Sequence, residues 1–195
     1  MNAFAEHGGL MGNRGILEPP SIADALPYSS HRWVICTLQS KGRTVRFADG
    51  GVKYTKLFFL DEASALAAGH RPCAQCSPKQ YRAFKAAWVS ANTEQGLSVD
   101  SPIADIDRVL HGERAMGHAK RRYDAVADEL PDGAIFAVGD QAYLVWNGGH
   151  RRWSFAGYSA PEPAPFKGHV QVLTPHSIVR MLRTYAVRVH ASADG

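Results

Sequence analysis

Residues 58–76 read FFLDEASALAAGHRPCAQC, and this stretch decides how the first half of the chain folds. Its aromatic start is typical of a β-strand. Asp61 then has the residue type and position of an N-cap, which predicts a short helix over 62–68. Gly69 ends that helix, because glycine adopts the left-handed conformation without a steric penalty. The stretch therefore predicts a strand, a short helix and, directly after them, a Cys-x-x-Cys pair.

The cysteines are the strongest chemical signal in the sequence. Cys73 and Cys76 have the spacing at which two thiolates bind one tetrahedral metal ion, although redox motifs share it. The chain has three cysteines, an odd count that argues against a disulfide framework in a reducing compartment. Cys36 lies upstream in an apolar stretch, where it is either a third ligand or a plain core residue.

The run from Ala65 to Cys76 resembles the second half of the Ada-type metal-binding domain. That family reads as an aromatic strand, a short alanine-rich helix and then Gly-aromatic-Arg-Pro-Cys-x-x-Cys. The run is also similar to zinc modules of some bacterial nucleases, in which the first ligands are a His and a Cys a few residues apart. The resemblance, extended over about residues 31–78, implies a small zinc module that contacts DNA.

The resemblance also implies the ligands of the metal ion. It assigns Zn²⁺ to Cys36, Cys73 and Cys76, with His31 as the best fourth ligand and His70 as a rival; a carboxylate or a water is also possible. Ada-type methyl acceptors need four cysteines, which this chain lacks. We therefore expect a structural zinc that ties a strand to a helix.

Composition and pattern predict an α+β protein. The apolar share of 45% and the charged share of 21% are ordinary for a globular chain. Glycine, proline and serine mark residues 1–30 as an N-terminal arm or loop. We expect residues 31–92 to form the zinc-binding module that the resemblance implies. We expect 103–195 to form a helical segment, an antiparallel meander and a C-terminal helix, packed as one domain with the module.

Individual elements follow from periodicity and turn signals. A single helix is expected from 103 to 130, broken near Gly112 or Gly117, and Thr174 is expected to cap the last helix, which runs to about Tyr185. The other expected elements are strands at 33–38, 44–47, 54–60, 134–138, 142–146, 152–155 and 169–173, and a helix at 78–91.

Three titratable residues on the predicted long helix are candidate catalytic groups. Asp107 and His111 share a helix face at i, i+4, and a carboxylate that orients a histidine is the usual arrangement of a general base. Glu113 lies nearby as a second candidate base. The alternative is a solvated helix face, because exposed i, i+4 ion pairs are common and weak.

The formal net charge of +4 and the sequence pI near 9.1 favour an anionic partner, with nucleic acid the commonest. Glycines flank Asn13 and Arg14, as in loops that approach a phosphate or base, although such a loop can equally be an arm that only turns. A basic stripe of Lys120, Arg121 and Arg122 is suited to phosphates, and Arg152 beside Trp153 and Tyr158 combines charge with rings that can stack on bases. The alternatives are a solvated face for the charges and a core position for Trp153. The resemblance implies that Arg71 contacts DNA.

Together these features predict a zinc-containing DNA-processing protein, a hydrolase of glycosylase or nuclease type in repair or modified-base metabolism. One alternative is a non-catalytic zinc-dependent module that binds nucleic acid. Another is a small-molecule enzyme, which a deep pocket lined by Trp153, Tyr158 and His111 would favour. With no apolar run of eighteen residues and no signal-peptide pattern at the N-terminus, we expect a cytoplasmic protein that does not span a membrane.

Overall fold

The structure is a computed structural model that describes residues 9–15, 28, 30–37, 39–40, 43–44, 57–163 and 166–195. It confirms the α+β class. The helices are α1 (Glu62–Ala67), α2 (Pro78–Ala91), α3 (Ile103–Arg114) and α4 (His176–Leu182). The strands are β1 (Leu10–Asn13), β2 (Val34–Thr37), β3 (Gln39–Ser40), β4 (Arg43–Thr44), β5 (Leu57–Phe59), β6 (Arg71–Pro72), β7 (Ala115–Met116), β8 (Ala119–Lys120), β9 (Tyr123–Val126), β10 (Ile135–Val138), β11 (Gln141–Trp146), β12 (Gly149–Ser154), β13 (Gly157–Pro161) and β14 (His169–Val172).

The first sheet has the strand order β5-β1-β2-β6. β1 pairs antiparallel with β5 and β2, and β2 pairs parallel with β6. The expectation of an irregular arm at 1–30 is therefore wrong for residues 10–13, which form an internal strand. Gly12 explains the misleading glycine signal, because a Cβ there would lie 2.5 Å from the ring of Phe59 and 3.2 Å from His70 Nε2. The glycine permits a close approach between strands and does not mark a loop.

Local signals placed the next elements correctly. The expected strand at 33–38 is β2, and the helices at 62–68 and 78–91 are α1 and α2. Asp61 caps α1 as predicted, since its Oδ1 accepts a hydrogen bond of 2.8 Å from the backbone N–H of Ser64. Residues 57–59 of the expected third strand form β5, and most of the expected strands at 44–47 and 54–60 lies outside the described residues.

The long helix predicted from 103 to 130 is wrong beyond Arg114. α3 ends there, and the chain forms the β7–β8 hairpin and then β9. Gly117 has a positive φ of 60° at the hairpin turn, which glycine tolerates. Gly112 lies inside α3 without breaking it. The predicted basic stripe of Lys120, Arg121 and Arg122 is therefore not helical.

The second sheet is the expected antiparallel meander, with the strand order β13-β12-β11-β10-β14-β9. Its buried residues join those of α1 to α4 in a single hydrophobic cluster that includes Phe84, Ile106 and Phe136. α4 ends at Leu182, earlier than predicted, and Thr174 does not cap it. The Thr174 hydroxyl instead accepts a hydrogen bond of 2.8 Å from the N–H of Ile135 in β10.

In the part of the chain that the structure describes, we find no helix with the length and apolar character needed to cross a membrane.

Candidate metal centre and cationic pocket

The three cysteines meet at one end of the first sheet. Cys36 lies on β2, Cys73 follows β6 directly, and Cys76 lies in the turn before α2. The parallel pairing of β2 with β6 brings them together, and the N–H of Cys73 donates to the carbonyl of Ile35 at 3.1 Å. Their three Sγ atoms lie within 4.8 Å of one another, and the group could hold a metal ion.

The chemistry of this cysteine cluster fits a tetrahedral thiolate site. Zn–S bonds of about 2.3 Å place the sulfurs of such a site about 3.8 Å apart, which is within the observed separation. The largest influence on the pKa of Cys73 is a hydrogen bond from Cys36, and it lowers that pKa to about 5. The same hydrogen bond, followed by burial, raises the pKa of Cys36. The thiolate is the form that binds a metal.

The structure does not place His31 with the cysteines. Its imidazole stacks on that of His111, with ring centroids 3.9 Å apart. Tyr28 contacts His111 edge-on at 4.9 Å. Burial, followed by the charges of His31 and Arg114, lowers the pKa of His111 to about 4. A predicted metal ligand and a predicted catalytic residue therefore form one pair of stacked rings.

His70, the rival ligand, also lies elsewhere. It is fully buried, and its Nε2 accepts a hydrogen bond of 3.2 Å from Arg14 Nε. Burial, followed by the charge of Arg14, lowers the pKa of His70 well below its usual value. Among the histidines, cysteines and acidic residues in the described segments, only the three cysteines form a group that could hold a metal ion. The three predicted sulfur ligands therefore lie together, whereas His31 and His70 lie apart from them.

A cationic pocket of about 110 Å³ lies beside the stacked histidines. Arg14, Arg114 and Lys120 line it together with the rings of Tyr28 and Trp33. The guanidinium carbons of Arg14 and Arg114 lie 3.9 Å and 4.1 Å from the ring centroid of Trp33, which fits cation–π contacts. Trp33, the residue directly before β2, therefore contacts and positions two cations.

Arg114 is a buried cation of this pocket, and Lys120 is half-buried with a buried ammonium group. Arg114 is 1% exposed and donates hydrogen bonds to the carbonyls of Gly69 and His31. Gly69 has a φ of +81°, and a Cβ there would collide with the Arg114 side chain. Lys120 Nζ is buried and has no hydrogen-bond partner among the described residues. Burial lowers the pKa of Lys120 to about 7 and that of Arg114 to about 9.

Asp107 does not orient His111. Its carboxylate forms a bidentate ion pair with Arg71, at 2.7 Å from Nε and 2.6 Å from Nη2. Both side chains are almost fully buried, at 3% exposure for Arg71 and 4% for Asp107. The predicted contact between Asp107 and His111 is therefore wrong, and burial also removes Arg71 from contact with DNA. The pair instead joins β6 to α3.

Glu113 also has a structural role, because its carboxylate is hydrogen-bonded to the start of α4. Its carboxylate accepts hydrogen bonds from the backbone N–H of Ser177 at 3.1 Å and from the Ser177 hydroxyl at 2.6 Å. Ser177 is in the first turn of α4, so Glu113 caps that helix from another element, which a negative charge does well at a helix N-terminus. Asp107, His111 and Glu113 thus face three different environments.

We predict that Glu113→Ala lowers the free energy of unfolding by about 1–3 kcal/mol, because the buried N–H and hydroxyl of Ser177 lose their acceptor. Urea denaturation followed by tryptophan fluorescence measures this change. Glu129→Ala is the matched control, since Glu129 is exposed and its change should stay within about 0.5 kcal/mol. Equal stability of the two variants would contradict the capping role.

Some of the other residues predicted to contact nucleic acid are exposed, and others are buried or half-buried. Arg121, Arg122 and Arg152 are exposed. Tyr158 is buried, and its hydroxyl donates to Asp61 at 2.9 Å, so it does not stack on bases. Trp153 is half-buried and packs edge-on against Phe155, with ring centroids 4.8 Å apart. Asn13 accepts from the N–H of Gly15 and closes the turn after β1.

Neither the family models nor the curated proteins and solved structures contain a match to this chain. The fold and the site therefore define an α+β protein with a three-cysteine cluster that could bind a metal ion, on the evidence of the chain itself.

Sequence reasoning missed the assembly of the cationic pocket. It singled out Arg14 and Lys120 separately, assigned Lys120 to a helix, and gave His70 only a metal role. The available signal was the density of cations in segment 114–122, whereas segment 14–32 holds only Arg14 and Arg32. Nothing in the local pattern shows that these segments meet.

Proposed function

We propose that this chain is a zinc-containing protein that binds nucleic acid, with DNA as the expected ligand and zinc in a structural role. The observation that carries the proposal is the concentration of cations at one end of the paired strands β1 and β2. Arg14, Arg114 and Lys120 line the pocket there. Exposed Arg121 and Arg122 follow Lys120 in the chain, next to its rim.

Zinc is the metal that best suits the cysteine cluster, because soft thiolates in tetrahedral sites select zinc in the absence of iron–sulfur chemistry. Bound zinc would fix β2 to the turn between Cys73 and Cys76. The described residues supply no fourth protein ligand to this group, and a water would complete the tetrahedral coordination. The cysteines are close in the chain to residues that form or support the pocket, since Trp33, which lines it, lies three positions before Cys36, and His70, which accepts a hydrogen bond from Arg14, lies three before Cys73. Holding these two segments together supports the pocket.

The rim is suited to a polyanion. Arg121 is tied to the pocket wall, since its N–H donates to the carbonyl of Arg114 at 3.1 Å and its Nε to that of Ala115 at 3.2 Å. Arg122 lies close enough to Lys120 to lower its pKa further. Exposed Arg32 directly precedes Trp33 in the chain. Such a set of exposed cations around an enclosed cationic site fits successive phosphates of a strand.

Binding is favoured over hydrolysis by the positions of the candidate catalytic groups. The carboxylates of Asp107 and Glu113 are hydrogen-bonded inside the fold, so neither is available as a general base. The small-molecule alternative loses its expected pocket, because Tyr158 bonds to Asp61 and His111 stacks on His31.

Fluorescence anisotropy with labelled single- and double-stranded DNA tests the proposal. We expect binding of the zinc-loaded protein to weaken as salt rises, and an Arg121→Gln/Arg122→Gln variant to lose about 1.5–2 from the slope of log K against log salt. The matched control is Lys167→Gln/Arg183→Gln, which removes two exposed cations from the second half of the chain. No binding at low salt would contradict the proposal, and strand breaks on denaturing gels would favour a hydrolase.

A further inference from the structure

We propose that the cationic pocket is a binding site for a single phosphate group, and specifically for the terminal phosphate monoester of a nucleic-acid strand. The phosphate site stands on the geometry of the pocket. Its assignment to a strand end rests on the proposed nucleic-acid binding.

The pocket holds cationic groups that form no ion pair with any described carboxylate. Lys120 Nζ and Arg114 Nε are both buried without a hydrogen-bond partner among the described residues. Asp107 and Glu113 act electrostatically on Arg114 and Lys120, but their carboxylates are hydrogen-bonded to Arg71 and Ser177. Burying an uncompensated cation is costly, so a protein that retains several of them at one place is expected to bind an anion there.

The cations are held in place before any ligand arrives. Trp33 stacks with both guanidinium groups, Arg14 also donates to His70, and Arg114 donates to the carbonyl of Gly69. Little side-chain order therefore has to be created on binding, which favours affinity. The lowered pKa values of Arg14, Arg114 and Lys120, caused mainly by burial, are consistent with cations that lack their anion.

The size of the pocket selects the chemical class. A cavity of about 110 Å³ has room for several water molecules and therefore for a tetrahedral oxyanion. Pockets that enclose a whole drug-sized ligand are larger, at about 300–1,000 Å³, so the enclosed space favours a small anion over a complete nucleotide. A diester inside the strand would have to bring two sugars to the pocket, whereas a terminal monoester presents three free oxygens. The exposed cations of the rim would contact the phosphates that follow.

The test compares phosphate-bearing and phosphate-free ligands. Inorganic phosphate is added during thermal melts, and a ten-nucleotide single strand with a 5′-phosphate, a 3′-phosphate or two hydroxyl ends is titrated by anisotropy. We expect inorganic phosphate to raise the melting temperature. We also expect one phosphorylated end to bind at least about tenfold more tightly than the hydroxyl-ended strand, since charge-assisted hydrogen bonds supply the difference.

The Lys120→Met variant distinguishes a loss of phosphate binding from a loss of stability. Because it removes a buried cation without a partner, the variant should melt no lower than the wild type while it loses both the phosphate shift and the end preference. Lys167→Met, at an exposed position, is the matched control and should keep both effects. If Lys120→Met fails to fold, Arg14→Gln is the second variant and should lose the same two effects.

The outcomes distinguish the two proposals. Absence of any phosphate shift in the wild type, or an unchanged shift in a folded Lys120→Met protein, overturns the pocket assignment. DNA binding without an end preference overturns the strand-end assignment and leaves the proposed function standing. A phosphate shift without DNA binding supports the phosphate site and overturns the proposed nucleic-acid function.

Discussion

Zinc content should fall from about one ion per chain to below about a tenth when Cys73 is replaced by Ser, and the cooperative unfolding transition should be largely lost. The reason is that a structural zinc contributes folding free energy directly, on the order of 10 kcal/mol in small zinc modules. The cluster has only three described protein ligands, so loss of one leaves too few thiolates to retain the ion. Elemental analysis of the purified protein and thermal melts by circular dichroism, at fixed total zinc, measure both effects.

Cys73→His is the matched control, because an imidazole can replace a thiolate as a zinc ligand. That variant should retain more zinc and melt at a higher temperature than Cys73→Ser. A strong chelator should lower the melting temperature of the wild type and leave that of Cys73→Ser almost unchanged. A Cys73→Ser protein with wild-type stability and no response to the chelator would contradict a structural metal site.

Asp107→Asn should lower the free energy of unfolding by about 3–5 kcal/mol, because it leaves the buried guanidinium of Arg71 without its counter-charge. The bidentate geometry and the burial of both partners distinguish this pair from the exposed pair of Arg108 and Asp105, which is worth little. Urea denaturation measures the loss, and Asp105→Asn is the matched control with an expected change within about 0.5 kcal/mol.

A double variant, Arg71→Met/Asp107→Leu, should recover a large part of the stability lost in Asp107→Asn, because replacing a buried ion pair by apolar side chains is often neutral or stabilising. This recovery would show that Asp107 contributes to folding through its ion pair with Arg71. A stable Asp107→Asn protein that had lost a DNA-cleaving activity would contradict this account and restore the catalytic hypothesis.

The elements that the sequence predicted correctly depend on local signals. Asp61, Gly69 and Pro78 set the ends of α1 and α2 through capping and backbone preferences that involve only neighbouring residues. β1 was missed because Gly12 is required by contacts with Phe59 and His70, which are distant in the chain. β9 was missed because its strand identity comes from pairing with β14, and pairing over long distances leaves little trace in the local pattern.

In the candidate site, too, local signals predicted some residues and the tertiary fold determines the others. The spacing of Cys73 and Cys76 predicts a metal-binding pair, and the sulfur of Cys36 lies with them as expected. His31 has the right residue type near Cys36, but its ring packs on His111, a contact that only the tertiary fold creates. The cationic pocket combines residues from several separate segments, so no local pattern could assemble it.

The most direct test of the central claim is a titration of labelled DNA with the zinc-loaded protein at several salt concentrations, repeated after zinc has been removed by chelation. We predict binding that weakens steeply with salt, and loss of that binding without zinc, because the segments that carry Trp33 and His70 are then no longer fixed by the cysteine cluster. No binding at low salt, or an affinity unchanged by zinc removal, would contradict the account.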